Sequence, residues 1–207
     1  MEQILCFGDS NTYGLIPGTG LRYDWNIRWT GILNDEISRK GFRVVEEGLC
    51  GRTTVFEDPF RKGRKGTDIL PVLLETHGPV HTVVLMLGTN DCKRIYDASP
   101  QIIGKGIELL IGQIQEKSPE SKIVLVSPIF LGEKVWEEGF DPEFDAGSVA
   151  VSKELGEVYN KIAKEKGTYF LAASSYAKPS TADREHLDEE GHRSLADGLI
   201  NLFEEIL

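Results

Sequence analysis

The sequence predicts an α/β fold in which a parallel sheet lies between two layers of helices, a three-layer α/β/α sandwich. Short apolar segments rich in β-branched residues alternate along the chain with segments whose apolar residues recur at helical spacing. That alternation is typical of β-α-β units, and right-handed crossovers place their helices on both faces of the sheet. The chain of 207 residues has no internal repeat or linker, so one domain spanning residues 1–207 is expected.

Five apolar segments are predicted to form the strands of this sheet. In chain order they are residues 4–7, 42–45, 80–87, 123–126 and 169–172. The third is the most apolar, and its valines and leucines indicate a central parallel strand buried on both faces. The five-stranded parallel sheet predicted in this way is flavodoxin-like.

The helices are predicted from apolar periodicity and from residues that begin or end a helix. One helix is expected from about residue 67 to 76, with Pro71 near its first turn, where proline is tolerated. Ser99 and Pro100 are typical of an N-cap and first helical position, and Asp188 is expected to cap the last helix. The apolar residues of the other helices are Trp29, Ile32, Leu33 and Ile37, then Ile103, Ile107, Leu110, Ile111 and Ile114, then Leu155, Val158, Tyr159 and Ile162, and finally Leu195, Leu199, Leu202 and Phe203.

Composition and charge exclude several classes of protein. The formal net charge of −10 disfavours binding to nucleic acids or anionic membranes. No apolar stretch is long enough for a membrane span, and the first residues do not resemble a signal peptide. The three cysteines, Cys6, Cys50 and Cys92, have no CxxC spacing, which disfavours a disulfide framework or a zinc site. A cytoplasmic protein without metal or cofactor is expected.

One short basic segment, residues 61–65, stands out in this acidic chain. It is interpreted as a solvated loop, with an anion or partner contact as the alternative. Cys50 and Cys92 are interpreted as small reduced packing residues, because a reactive thiolate needs a base or a helix N-terminus beside it.

Candidate reactive side chains follow the predicted strands, where the functional groups of parallel sheets lie. Ser10 directly follows the first strand and is either a nucleophile or an ordinary N-cap serine. Asp183 and His186 lie three residues apart before the last helix. A carboxylate in this position can orient an imidazole, which can then act as general base for a serine. The alternative is a surface or helix-cap histidine.

Asn90 and Gly51 are candidate donors to a developing oxyanion. Asn90 follows the most apolar strand and offers a neutral amide donor, and Gly51 offers an unobstructed backbone N–H. Either residue, taken alone, is also explained as a turn residue.

Four sequence blocks, taken together, resemble the SGNH hydrolases, also called the GDSL esterase family. The blocks are Gly8-Asp9-Ser10, Gly51, Gly88-Thr89-Asn90-Asp91 and Asp183-Arg184-Glu185-His186. The resemblance implies that Ser10 is the nucleophile, His186 the base and Asp183 its orienting acid. It also implies an oxyanion hole made by the backbone N–H groups of Ser10 and Gly51 and the Asn90 side chain. Asn11 replaces the leucine of the family name at a position that is not catalytic.

A closer resemblance is to the bacterial arylesterases that also act as acyltransferases and perhydrolases. It rests on Ile4–Ser10, Arg28–Gly31, Glu46–Leu49, Arg52–Thr54 and Met86–Asp91. Cys50 and Gly51 depart from the serine and alanine of that branch, and the Gly14 region also differs. The resemblance implies a cofactor-free esterase that cleaves small aryl or short-chain esters through an acyl-Ser10 intermediate. The alternatives are a carbohydrate deacetylase and a non-catalytic ligand-binding protein with this fold.

Two long irregular segments, Leu15–Asn26 and Thr54–Lys65, follow strands that carry these blocks. Loops of about twelve residues are longer than usual in such folds and are often functional. They contain Tyr23, Trp25, Phe56 and Phe60. The branch that the chain resembles forms oligomers through insertions near these places. A homo-oligomer is therefore expected, with both loops at the interface and narrowing the entrance to Ser10. Mobile lids on a monomer are the alternative.

Overall fold

The computed structural model describes all 207 residues and contains one parallel sheet of five strands. The strands are β1 (Glu2–Gly8), β2 (Phe42–Gly48), β3 (Thr82–Met86), β4 (Lys122–Ser127) and β5 (Tyr169–Ala172). Their order in the sheet is β2-β1-β3-β4-β5, and every neighbouring pair is parallel. The predicted five-stranded α/β sandwich is confirmed. Its third strand is shorter than the predicted residues 80–87: it begins two residues later, and it ends at Met86, before the chain turns at Gly88, where φ is 130°.

Six α-helices cover the sheet. They are α1 (Ser10–Tyr13), α2 (Trp29–Ile37), α3 (Gly66–His77), α4 (Pro100–Lys117), α5 (Ala146–Lys166) and α6 (Glu189–Ile206). On one face α2 packs against α6, and on the other α3, α4 and α5 pack side by side.

Each strand of the central part of the sheet contributes to two apolar cores. In β1, Ile4 and Cys6 pack towards α2 and α6, whereas Leu5 and Phe7 pack towards α3, α4 and α5. This alternation follows from the two-residue period of a strand. All four side chains are buried, so packing on both faces of the sheet fixes the end of β1 that precedes Ser10.

The helix α3 begins at Gly66, within one residue of the predicted start, and Pro71 lies inside it, just after the first turn. A proline has no N–H to donate to the carbonyl four residues earlier, which here is Thr67. The side chain of Gln113 in α4 donates to that carbonyl oxygen at 2.8 Å. The interior proline is thus tolerated because a neighbouring helix satisfies the carbonyl it leaves free.

Helix caps set the other boundaries. Ser99 and Asp188 cap α4 and α6 as predicted, since their side chains accept from Ile102 N and Gly191 N. The helix α5 begins before its apolar periodicity indicates, because Asp145 and Ser148 form a reciprocal capping box. No helix is both long and apolar enough to cross a membrane.

Candidate active site

Ser10 lies at the carboxyl end of β1, in a turn whose geometry depends on Gly8. A Cβ on Gly8 would lie 2.9 Å from the carbonyl oxygen of Met86 in the neighbouring strand. Asp9 is the N-cap of the short helix α1 and accepts from Asn11 N at 2.9 Å. Ser10 is therefore the first helical residue, and the interpretation of Ser10 as an N-cap is wrong. The residue is 3% exposed.

Ser10, His186 and Asp183 form a continuous hydrogen-bonded chain. His186 Nε2 lies 2.8 Å from Ser10 Oγ, and His186 Nδ1 lies 2.7 Å from Asp183 Oδ2. The three residues are up to 176 positions apart in the sequence, and they meet at the carboxyl edge of the sheet. Such a chain allows the imidazole to take the serine proton while the carboxylate fixes its tautomer.

The Asp183 carboxylate accepts hydrogen bonds from four donors. Oδ1 accepts from the backbone N–H groups of Glu185 and His186, both at 3.0 Å. Oδ2 accepts from Gly18 N at 3.0 Å in addition to the imidazole. Burial works against the charged carboxylate, but the bonds and charge of His186 outweigh it and lower the pKa of Asp183 to about 2.

His186 is surrounded by carboxylates. Burial works against the charged imidazole, but the neighbouring Glu185 and Asp183 outweigh it and raise the pKa of His186 to about 9. Burial in turn raises the pKa of Glu185 to about 7. The site therefore strongly favours an imidazolium, the species that forms when the serine gives up its proton.

Asn90 and Gly51 follow β3 and β2, the two strands that neighbour β1, and so lie at the same edge of the sheet as Ser10. Asn90 Nδ2 donates one hydrogen to Arg52 O at 3.2 Å, which leaves its second amide hydrogen free. Gly51 adopts φ 82°, and its N–H donates to no group of the protein. Two unused N–H donors at the same sheet edge suit an oxyanion that forms during acyl transfer.

The basic segment is not the freely solvated loop predicted from the sequence. Arg64 Nε donates to Cys50 O at 3.0 Å, and Arg61 pairs with Asp58 at 2.8 Å. The guanidinium of Arg61 lies over Gly51, where a Cβ would come within 2.8 Å of its Cζ. Because Gly51 has no side chain, the guanidinium of Arg61 can lie beside the Gly51 backbone, which carries one of the candidate oxyanion donors.

Two residues to which the sequence analysis assigned no role help to position the site. Asn11 Oδ1 accepts from Leu187 N at 2.9 Å, and the Asn11 carbonyl accepts from Trp29 Nε1 at 3.1 Å. Asn11 thus ties the serine turn to the histidine loop. Its only sequence signal was its departure from the expected leucine.

Asp91 is the second of these residues, and it is fully buried behind Asn90. Its carboxylate accepts from Thr54 N at 2.9 Å and from the Thr54 hydroxyl. Burial raises the pKa of Asp91 to about 7. The contact joins the loop after β2 to the loop after β3, so it fixes Gly51 relative to Asn90.

Three loops surround the site. The segment 15–26 reaches Asp183 through Gly18 N, and the segment 54–65 reaches Gly51 through Arg61. The irregular segment between β4 and α5 contacts the histidine loop, where Gly132 N donates to Arg184 O at 2.7 Å. The entrance to Ser10 is therefore bounded by loops on several sides.

The other candidate reactive groups lie outside this arrangement. The three cysteines are unpaired, and burial raises the pKa of the Cys50 and Cys92 thiols. No group of three or more His, Cys, Asp or Glu side chains is arranged to hold a metal ion. A groove of about 390 Å³ lies between α4 and α5 and includes none of the site residues.

A parallel α/β sandwich with a Ser–His–Asp chain at its carboxyl edge is the arrangement of a serine hydrolase. The GDSL-like lipase/acylhydrolase family model matches residues 6–194. An inhibitor-bound aryl esterase from M. smegmatis is 32% identical over 100% of both chains, with a TM-score of 0.93. A carbohydrate acetylesterase from Sinorhizobium meliloti is also 32% identical over 100% of both chains, with a TM-score of 0.92. No curated protein sequence matches significantly.

The chain belongs to the GDSL-like lipase/acylhydrolase family. It is a carboxylic ester hydrolase, as the resemblance of its four sequence blocks implied.

Proposed function

We propose that the protein hydrolyses aryl or short-chain acyl esters through an acyl-Ser10 intermediate. The observation that carries the proposal is the hydrogen-bonded chain from Ser10 through His186 to Asp183. In the first half-reaction His186 takes the proton of Ser10 as the hydroxyl oxygen attacks the acyl carbon. The same imidazole then protonates the leaving alcohol oxygen, and Asp183 holds its tautomer throughout.

The oxyanion is proposed to lie among the N–H groups of Ser10 and Gly51 and the amide of Asn90. The free second hydrogen of the Asn90 amide and the unused N–H of Gly51 support these roles. Water then attacks the acyl-enzyme with His186 again as base, which releases the acid and restores Ser10. No cofactor takes part in the proposed reaction.

Turnover of p-nitrophenyl acetate tests this function. We expect the protein to release p-nitrophenol well above the rate in buffer. A ligand-binding protein with this fold would not raise the rate above that of buffer. A panel of p-nitrophenyl esters of increasing chain length and of acetylated sugars would then define the substrate. Ser10 is 3% exposed, so acetate esters are expected to react faster than octanoate esters.

Asn90→Ala is expected to lower kcat by roughly 10²–10³ with little change in KM, because one donor to the oxyanion is lost. Steady-state kinetics with p-nitrophenyl acetate measure the two constants separately. A raised KM with an unchanged kcat would instead make Asn90 a ground-state binding residue.

The pH profile of kcat/KM is expected to have its acidic limb above the pKa of an ordinary histidine. The base must be neutral, and neighbouring carboxylates raise the pKa of His186 to about 9. Activity should therefore fall as the pH is lowered through the alkaline range, and Glu185→Gln should move the limb to lower pH. A flat profile from about pH 5 to 9 would contradict a histidine base.

The carbohydrate deacetylase remains the second candidate function. It is supported by the similarity to the acetylesterase from Sinorhizobium meliloti. Acyl transfer to alcohols or to hydrogen peroxide is proposed as a side activity, because a nearly buried Ser10 limits the access of bulk water to the acyl-enzyme. Ester exchange measured in water with an added alcohol tests it.

We also propose a cytoplasmic homo-oligomer that interacts with neither nucleic acid nor membrane. The exposed side chains of Phe60 and Trp25 lie in the loops 54–65 and 15–26, and aromatic side chains are enriched in interface cores. Light scattering at micromolar concentration is expected to give a multiple of 23.0 kDa. A mass near that of one chain would refute the oligomer and favour loops that act as lids.

A further inference from the structure

Glu185 is a buried carboxylate whose acceptor positions are not used by the protein. The residue is 6% exposed, and no backbone or side-chain donor hydrogen-bonds its carboxylate oxygens. The nearest basic atom, His186 Nε2, is 3.6 Å from Oε1 and is already engaged with Ser10 Oγ. The ammonium group of Lys93 is bound to Glu143 instead.

A mostly buried carboxylate is stabilised by hydrogen bonds, and the Glu185 oxygens keep enough accessible surface for a donor from outside the protein to reach them. Burial raises the pKa of Glu185, and the charges of Asp141 and Asp183 act in the same direction. The charges of His186 and Lys93 oppose this effect and favour the carboxylate. The site therefore contains an acceptor that a donor from the substrate would complete.

The position of Glu185 indicates which half of an ester it faces. His186 Nε2 must come within about 3 Å of the leaving oxygen to protonate it. Glu185 Oε1 is 3.6 Å from the same Nε2 atom, so it lies beside the alcohol half of the substrate. The acyl oxygen is directed elsewhere, towards the donors of Gly51 and Asn90.

We propose that Glu185 selects alcohol leaving groups that carry a hydroxyl next to the ester oxygen, by accepting a hydrogen bond from that hydroxyl. A neighbouring hydroxyl oxygen is displaced from the ester oxygen by roughly one hydrogen-bond length, which matches the offset of Glu185 from Nε2. A simple alkyl or aryl group offers no such donor, so its esters react without this contact. The inference rests on the proposed esterase function and makes Glu185 the residue that determines the preference for the alcohol half of the ester.

Two acetate esters of nearly equal size test the inference. 2-Hydroxyethyl acetate and propyl acetate differ only by a hydroxyl in place of a methyl group. At a pH well above 7, where the Glu185 carboxyl is ionised, the wild-type protein is expected to favour the hydroxylated ester in kcat/KM by about tenfold or more, since the hydrogen bond involves a charged acceptor. Glu185→Leu should reduce the ratio to about one, and Glu185→Gln, which retains an amide oxygen, should give an intermediate ratio.

Glu190→Gln is the matched control, because Glu190 is exposed in the first turn of α6 and its variant should retain the wild-type ratio. If the Leu variant does not fold, a lowered ratio in the Gln variant still supports the inference. A wild-type ratio near one, or a ratio that neither substitution changes, overturns the role of Glu185. In that case Ser10-dependent hydrolysis of both esters still supports the proposed esterase function. Hydrolysis of neither ester above the Ser10→Ala background overturns both.

Discussion

Ser10→Ala is expected to lower kcat for p-nitrophenyl acetate by about 10⁴-fold or more, because no other group can form the acyl intermediate. Only the hydroxyl oxygen is removed, and its sole side-chain contact is with His186 Nε2. The fold should survive, since Gly8 and Asp9 set the turn that presents the residue.

Thermal unfolding of the variant provides the control for folding, and its melting temperature should lie close to that of the wild type. A well-folded Ser10→Ala protein with more than about a tenth of wild-type turnover would exclude Ser10 as the nucleophile. Loss of activity together with loss of structure would instead show that the turn needs the hydroxyl.

Asp183→Asn is expected to lower kcat by roughly 10³–10⁴, because the neutral amide no longer holds the imidazole in the required tautomer. All four hydrogen bonds to the carboxylate come from donors. The NH₂ group of an asparagine must therefore face a donor on one side, whichever way the amide is turned. Steady-state kinetics over the pH range of wild-type activity measure the loss.

Asp188→Asn offers a matched control for this substitution. Asp188 undergoes the same chemical change five residues away, but it only caps α6, and asparagine caps helices as well as aspartate does. Its activity should remain near that of the wild type. Equal losses in the two variants would indicate a general disturbance of the loop rather than a role of Asp183 in the reaction.

The parts of the molecule that follow from local sequence were predicted well. The apolar segments predicted the strands β1 to β5. Two of the sequence blocks predicted that Ser10, His186 and Asp183 lie together, and hydrogen bonds join these three side chains. The start of α5 was missed because its signal is the cap formed by Asp145 and Ser148, outside the apolar periodicity. The means by which Pro71 is tolerated inside α3 could not be predicted, because the donor to the Thr67 carbonyl, Gln113 Nε2, lies on another helix.

The electrostatics of the site depend on contacts between distant segments. Nothing in the local sequence indicates that Arg61 lies over Gly51, since the contact requires the loop after β2 to fold back on itself. Glu185 stands in a motif position that any residue can occupy. Glu185 lies beside His186 because Asn11 connects the loop that carries His186 to the turn that carries Ser10, a contact between distant parts of the sequence.

Covalent trapping of the nucleophile tests the central claim most directly. A fluorophosphonate that reacts with activated serines would be added to the wild-type protein, and the labelled peptide would be identified by mass spectrometry. We expect one label on Ser10, no label in Ser10→Ala, and much slower labelling in Asp183→Asn. A label on another residue, or labelling of Ser10→Ala at the wild-type rate, would contradict it.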